Sequence, residues 1–147
     1  MTRAAIVLIG HGSRVARANR TLVEVARALR ARLRGTAVQP CYLEAARPGI
    51  QEAVDRCVRR GATHLVFAPY FLALGGHVGR DLPAEARRAI GRHPGLQIAL
   101  ARPLGFDRRL VAVVADRVRH SACYDFPSLN RKPPRRRPVR RRTGENA

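Results

Sequence analysis

Six consecutive apolar residues near the start, Ala4-Ala5-Ile6-Val7-Leu8-Ile9, constrain the fold more than anything that follows them. The run is short, rich in β-branched residues and without polar alternation, so it reads as a strand buried on both faces. A strand covered on both faces needs helices above and below it, and the rest of the chain supplies them. From Val15 to Arg34 the apolar residues Val15, Ala18, Leu22, Val25, Ala26, Leu29 and Leu33 recur at three- and four-residue steps, with arginines on most of the other face. Thr36 to Leu43 reads as a second strand, and Ile50, Ala53, Val54, Cys57 and Val58 form the apolar face of a second helix that Gly61 stops. A third strand over His64–Ala68 ends at Pro69. A helix is predicted over Leu82–Arg92, with Pro83 in its first turn, followed by a fourth strand over Leu96–Ala101 and a last helix over Asp107–Arg119. Strict alternation of strand and helix predicts an α/β fold in three layers around a four-stranded parallel sheet. Pro40 removes a ladder donor from the second strand and sends it to an edge, which the order 2-1-3-4 satisfies. That order leaves a topological switch point between the first and third strands.

The 147 residues suit one domain, expected over residues 1–119, with a Pro- and Arg-rich disordered tail over 120–147. Lys+Arg number 29 against 10 Asp+Glu, a formal net charge of +19. This excess does not by itself point to nucleic acid. Only Lys132 is lysine, a dense share of the arginine lies between Arg131 and Arg142, and aromatics are too few for a base-stacking platform, so no specific nucleic-acid partner is expected. Cys41, Cys57 and Cys123 are odd in number and form no C-x-x-C pair, which suggests neither a disulfide framework nor a zinc site. With no secretory leader and no apolar run near the roughly 18–20 residues of a membrane span, a cytoplasmic protein without a membrane partner is expected.

Three polar groups fall at the carboxyl ends of successive strands: His11 after the first, Glu44 after the second and His77 after the third. A lone strand-end histidine is ordinarily a hydrogen-bonded loop residue, and a lone glutamate before a helix ordinarily serves the helix dipole. Convergence of all three on one sheet edge fits a different task. Two imidazoles and a carboxylate suit a divalent transition metal, and the same groups accept protons near neutral pH. His64, His93 and His120 read as structural or solvated, and Glu24, Glu52 and Asp55 as surface charges.

The stretches "IGHGSR", "YLEAARPGI" and "PYFLALGGHVGRDLP" carry a resemblance. In order and spacing, from about Ala5 to Arg119, they resemble the short sirohydrochlorin chelatases, the CbiX-type cobaltochelatases and their ferrochelatase and nickelochelatase relatives. The resemblance implies a class II chelatase fold and a lyase that inserts Co²⁺, Fe²⁺ or Ni²⁺ into sirohydrochlorin, in cobalamin or siroheme biosynthesis. The metal is then a substrate, with no prosthetic group. It further implies that His11 is the proton acceptor and a metal ligand, that His77 is the second metal ligand, and that Glu44 is the carboxylate beside them. Leu72, Ala73, Leu74, Gly75 and Gly76 resemble the substrate-contacting stretch, and Arg14 or Arg47 suits the carboxylates on the macrocycle's rim. One GHGS and one GGHV make half of the two-lobed long relatives, which implies a homodimer or the front half of a long form. Two alternatives remain at this point. One is a histidine-phosphatase-like enzyme using His11, with Gly10 where that pattern has arginine; the other is a basic, non-enzymatic module that binds nucleic acid or acidic partners through its tail.

Overall fold

The computed structural model describes residues 3–76 and 78–121. Its elements are β1 (Ala4–Gly10), α1 (Ala16–Arg32), β2 (Ala37–Tyr42), α2 (Ile50–Arg59), β3 (His64–Pro69), α3 (Val78–Arg92), β4 (Gln97–Leu100) and α4 (Arg108–Arg119). A first compact unit ends at Asp107 and a second begins at Arg108. Within the second, Asp116 pairs with Arg117 at 2.6 Å and with His120 at 3.3 Å, close to the end of α4.

The sheet is parallel throughout, in the order β2-β1-β3-β4. The uninterrupted apolar run is β1, and it has a neighbour on each side. Ala5, Val7 and Ile9 face one way and pack with Leu65 and Phe67 of β3 against Ile50, Ala53 and Val54 of α2 and Leu82, Ala86 and Ala89 of α3. Leu8 faces the other way, against Leu22 and Ala26 of α1 with Val38 and Tyr42 of β2. Phe67, Ile9, Leu65, Leu82, Val7 and Val54 are among the largest fully buried side chains. Each is worth about 1.5–3 kcal/mol of transfer free energy, and most of that lies between the sheet and the α2–α3 layer. Pro40 stands in the edge strand opposite Leu8, as its missing donor requires.

One boundary differs from the sequence pattern. α3 includes Val78, four residues before the expected start, and so carries Pro83 in its interior. Packing accounts for the difference: Val78 and Leu82 lie one turn apart and both sit on the core cluster, Leu82 only 2% exposed. That burial outweighs the one helical hydrogen bond Pro83 cannot donate. The polar seam between α2 and α3 corrects a second expectation, because Asp55 is not a solvated surface charge. Its carboxylate bonds to His93 Nε2 at 2.7 Å and to the Arg92 guanidinium at 2.9 Å, tying the middle of α2 to the end of α3. Gln51 Nε2 adds a bond to the Glu85 carboxylate at 2.6 Å. Burial pushes Asp55 up, but His93 and Arg92 outweigh it, and the carboxyl is held below its ordinary value.

Cys41 and Cys57 are free and buried. Burial pushes both thiols up, Cys41 the further, so neither is a nucleophile. Among the described residues no helix is long and apolar enough to cross a membrane. Cys123 and the expected tail from 122 onward lie outside the described residues.

Candidate active site

The ladder does not stop where the strands end. Leu43 N–H donates to Gly10 O at 3.0 Å, Glu44 N–H to His11 O at 3.1 Å, and Tyr70 N–H to Ile9 O at 2.8 Å. The loops that leave β1, β2 and β3 are therefore stitched together at the carboxyl edge. Gly12 makes this possible. Its φ is +96°, and a Cβ there would stand 1.9 Å from the Glu44 carbonyl oxygen. Only a residue without a side chain lets the two loops touch.

Stitched in this way, the loops bring two of the three expected groups together. His11 Nε2 lies 3.1 Å from Glu44 Oε1, with both side chains about two-thirds exposed. Phe71 stands edge-on to the imidazole, the ring centroids 6.5 Å apart and the planes at 76°. The carboxylate stands beside Nε2, and whichever ring nitrogen of the neutral imidazole carries no hydrogen can take a proton or bind a cation. His77 lies outside the described residues. Among the described residues no group of three or more His, Cys, Asp or Glu is placed to hold a metal.

The pair opens onto a cleft of about 470 Å³ between the β2–α2 loop and α3. Glu44, Glu52, Asp81 and Glu85 line it against Arg47 and Arg88. Four of the chain's ten acidic residues thus face one cleft of a protein whose net charge is +19. Glu52 was expected to be a surface charge, yet its carboxylate accepts from Arg47 at 2.8 Å and from Gly49 N–H at 2.8 Å, closing the start of α2. The Arg47 hydrogen bond, helped by the Gly49 amide, holds the Glu52 carboxyl below its ordinary value, and the same bond raises Arg47. Arg14 is exposed in the β1–α1 loop, and in the stretch after β3 Leu72, Ala73, Gly75 and Gly76 are exposed while Leu74 packs against the core. A Cβ on Gly75 or Gly76 would meet nothing within 4 Å, so nothing in this chain's own packing requires those two glycines.

Sequence reasoning gave no role to Asn19, Tyr42, Asp81, Glu85 or Arg88. The acidic pair on α3 had a usable signal, since Val78, Asp81, Glu85 and Arg88 follow helical spacing from the HVGRD segment. The phosphatase alternative has no support at Gly10, which offers no guanidinium beside His11.

The chain is an α/β protein with an imidazole–carboxylate pair at the carboxyl edge of a doubly covered parallel sheet, where the strand order reverses and where such sheets gather ligand-binding groups. Residues 5–121 match the CbiX family, and the chain belongs to that family. The sirohydrochlorin ferrochelatase of Bacillus subtilis (strain 168) is 31% identical over 117 residues, 80% of this chain and 45% of that protein. The crystal structure of a CbiX protein of cobalamin (vitamin B12) biosynthesis from Marinobacter aquaeolei VT8 is similar at a TM-score of 0.67 and 32% identity, over 81% of this chain and 97% of its own. The sirohydrochlorin chelatase SirB of Bacillus subtilis subspecies spizizenii, in complex with cobalt, is similar at a TM-score of 0.75 and 31% identity, over 81% of this chain and 51% of its own. The chain spans about half the length of the curated ferrochelatases it matches, covering 45%, 51% and 43% of those from Bacillus subtilis, Arabidopsis thaliana and Priestia megaterium.

Proposed function

We propose that this protein is a lyase that inserts a divalent metal ion, Co²⁺ or Fe²⁺, into sirohydrochlorin, releasing two protons for each ion inserted. The observation that carries the reading is the His11–Glu44 pair, 3.1 Å apart beside an acidic cleft, in a chain of the CbiX family. Both metals are carried forward because one relative is named a ferrochelatase and another is bound to cobalt. The ion is substrate and leaves in the product, so no prosthetic group is needed.

Insertion requires a base for the pyrrole N–H protons and replaceable ligands for an ion losing its water. The His11 imidazole takes a proton, and the Glu44 carboxylate stabilises the imidazolium that results. His77 is assigned as the second metal ligand from the family motif. The macrocycle, flat and apolar with carboxylates on its rim, lies against Leu72, Ala73, Leu74, Gly75 and Gly76, with Arg14 reaching the rim. We assign this work to residues 1–119 acting as a cytoplasmic homodimer, without nucleic acid or membrane, and give the 120–147 segment no part in it.

The test is absorption spectroscopy of sirohydrochlorin mixed with the protein and Co²⁺, Fe²⁺ or Ni²⁺ in parallel. A metal-dependent change of the macrocycle's visible spectrum faster than the protein-free control is expected. No acceleration with any of the three ions overturns the reading. Sedimentation of residues 1–119 tests the dimer, and a fully active monomer overturns that part.

A further inference from the structure

α1 begins without a side-chain cap. Val15 occupies the N-cap position and has no oxygen to offer. The loop ahead of it, which carries His11, is held by a residue four places into the helix. The Asn19 carboxamide closes on the peptide of Ser13 at two points: Ser13 N–H donates to Asn19 Oδ1 at 3.0 Å, and Asn19 Nδ2 donates to Ser13 O at 2.8 Å. Ser13 Oγ in turn accepts Val15 N–H at 3.1 Å. Asn19 is itself anchored, because the hydroxyl of Tyr42, a side chain of the buried core, donates to its backbone carbonyl at 3.0 Å.

Asparagine is a poor choice for the interior of a helix made mostly of Ala, Arg, Leu and Val, since its amide competes for backbone partners. Here that competition is the function. His11 is two residues from the clamped peptide, and its own carbonyl is held from the opposite side by Glu44 N–H. Between those two holds lies Gly12, a residue with no side chain to restrain it. Without the clamp, the His11 backbone is fixed on one side only.

We infer that Asn19 is a positioning residue for His11, setting the place of the imidazole against Glu44 through a two-point grip on the Ser13 peptide. The catalytic consequence rests on the chelatase reading; the geometric one does not. Two readouts separate them. In protein labelled with ¹⁵N-histidine, the His11 ring resonances, assigned by their loss in His11→Gln, report the imidazole's environment whatever the reaction is. In Asn19→Ala these resonances are expected to shift or broaden, while those of His93, held by Asp55, stay in place. In the insertion assay kcat is expected to fall roughly 10- to 100-fold, as for a group displaced by about an ångström. KM for sirohydrochlorin is expected to change less than kcat, because the contacts assigned to Leu72–Gly76 are untouched. Asn19→Asp, nearly isosteric, keeps the acceptor for Ser13 N–H but sets an oxygen against Ser13 O. It serves as the second variant should alanine fail to fold, and should move the His11 signals in the same way. Unmoved His11 resonances in both variants overturn the inference, even if thermal stability falls. Moved resonances with no turnover in the wild type leave the positioning role standing and overturn the chelatase reading instead.

Discussion

Replacing Gly12 by alanine asks two things of the backbone at once. The first is a residue with a side chain at φ +96°, beyond the left-handed region that other residues visit at a cost of about 1–2 kcal/mol. The second is room for a methyl group whose carbon would lie 1.9 Å from the Glu44 carbonyl oxygen, a backbone atom that cannot swing aside as a side-chain tip can. The loops must part, the Glu44 N–H bond to His11 O is lost, and overpacking of this kind costs about 1–3 kcal/mol. The sum is about 2–5 kcal/mol, a large part of the roughly 5–15 kcal/mol that holds a domain folded. Urea denaturation followed by circular dichroism measures it, with Gly75→Ala as the control. Gly75 has open space at its Cβ and should change stability by about 1 kcal/mol at most. A Gly12→Ala protein within about 1 kcal/mol of wild type would show that the stitched loops are not held as described.

His11→Ala removes the proposed proton acceptor and should cut turnover by about 10²- to 10⁴-fold, with Glu44→Gln less severe because it keeps a hydrogen-bond acceptor; steady-state insertion rates decide, and wild-type rates in both would refute the site. Asp55→Asn should cost about 1–2 kcal/mol in chemical denaturation at neutral pH, since it takes the charge from a carboxylate bonded to both His93 and Arg92. The sign of its pH dependence follows from the lowered carboxyl: the stabilisation is complete above the ordinary value of 3.8 and disappears as pH falls through the lower folded value, so wild type and Asp55→Asn should converge in strong acid. Phe67→Ala, at a fully buried position between the sheet and the α2–α3 layer, should lose about 3–5 kcal/mol; a loss under about 1 kcal/mol would contradict the packing.

Much of this architecture was legible in the chain because it is periodic. The unbroken run from Ala4 placed β1 in the sheet interior, and Pro40 placed β2 at the edge. With those two fixed, a parallel order followed, and topology alone brought His11 and Glu44 to one edge. What escaped is aperiodic. Pro83 signals a first turn, and only the packing of Val78 beside Leu82 reveals that the helix includes the turn before it. Glu52 and Asp55 look like solvated charges on a helix face, yet their partners come from the preceding loop and from the far end of α3. Asn19 is hidden for the same reason, since a side chain that grips a peptide six residues back leaves no mark on an amphipathic pattern.

The ladder bonds that run on past the ends of β1 and β2 act as a ruler. They set the backbones of His11 and Glu44 at the separation of neighbouring strands, about 4.8 Å. The side chains come closer still, with Nε2 of His11 3.1 Å from Oε1 of Glu44. That spacing leaves no room for a planar molecule between the two groups, so in the proposed reaction the macrocycle would lie over them. Widening the gap would mean breaking the hydrogen bonds that continue the ladder, so the spacing of the pair belongs to the backbone and holds for as long as the bare Gly12 lets the two loops touch.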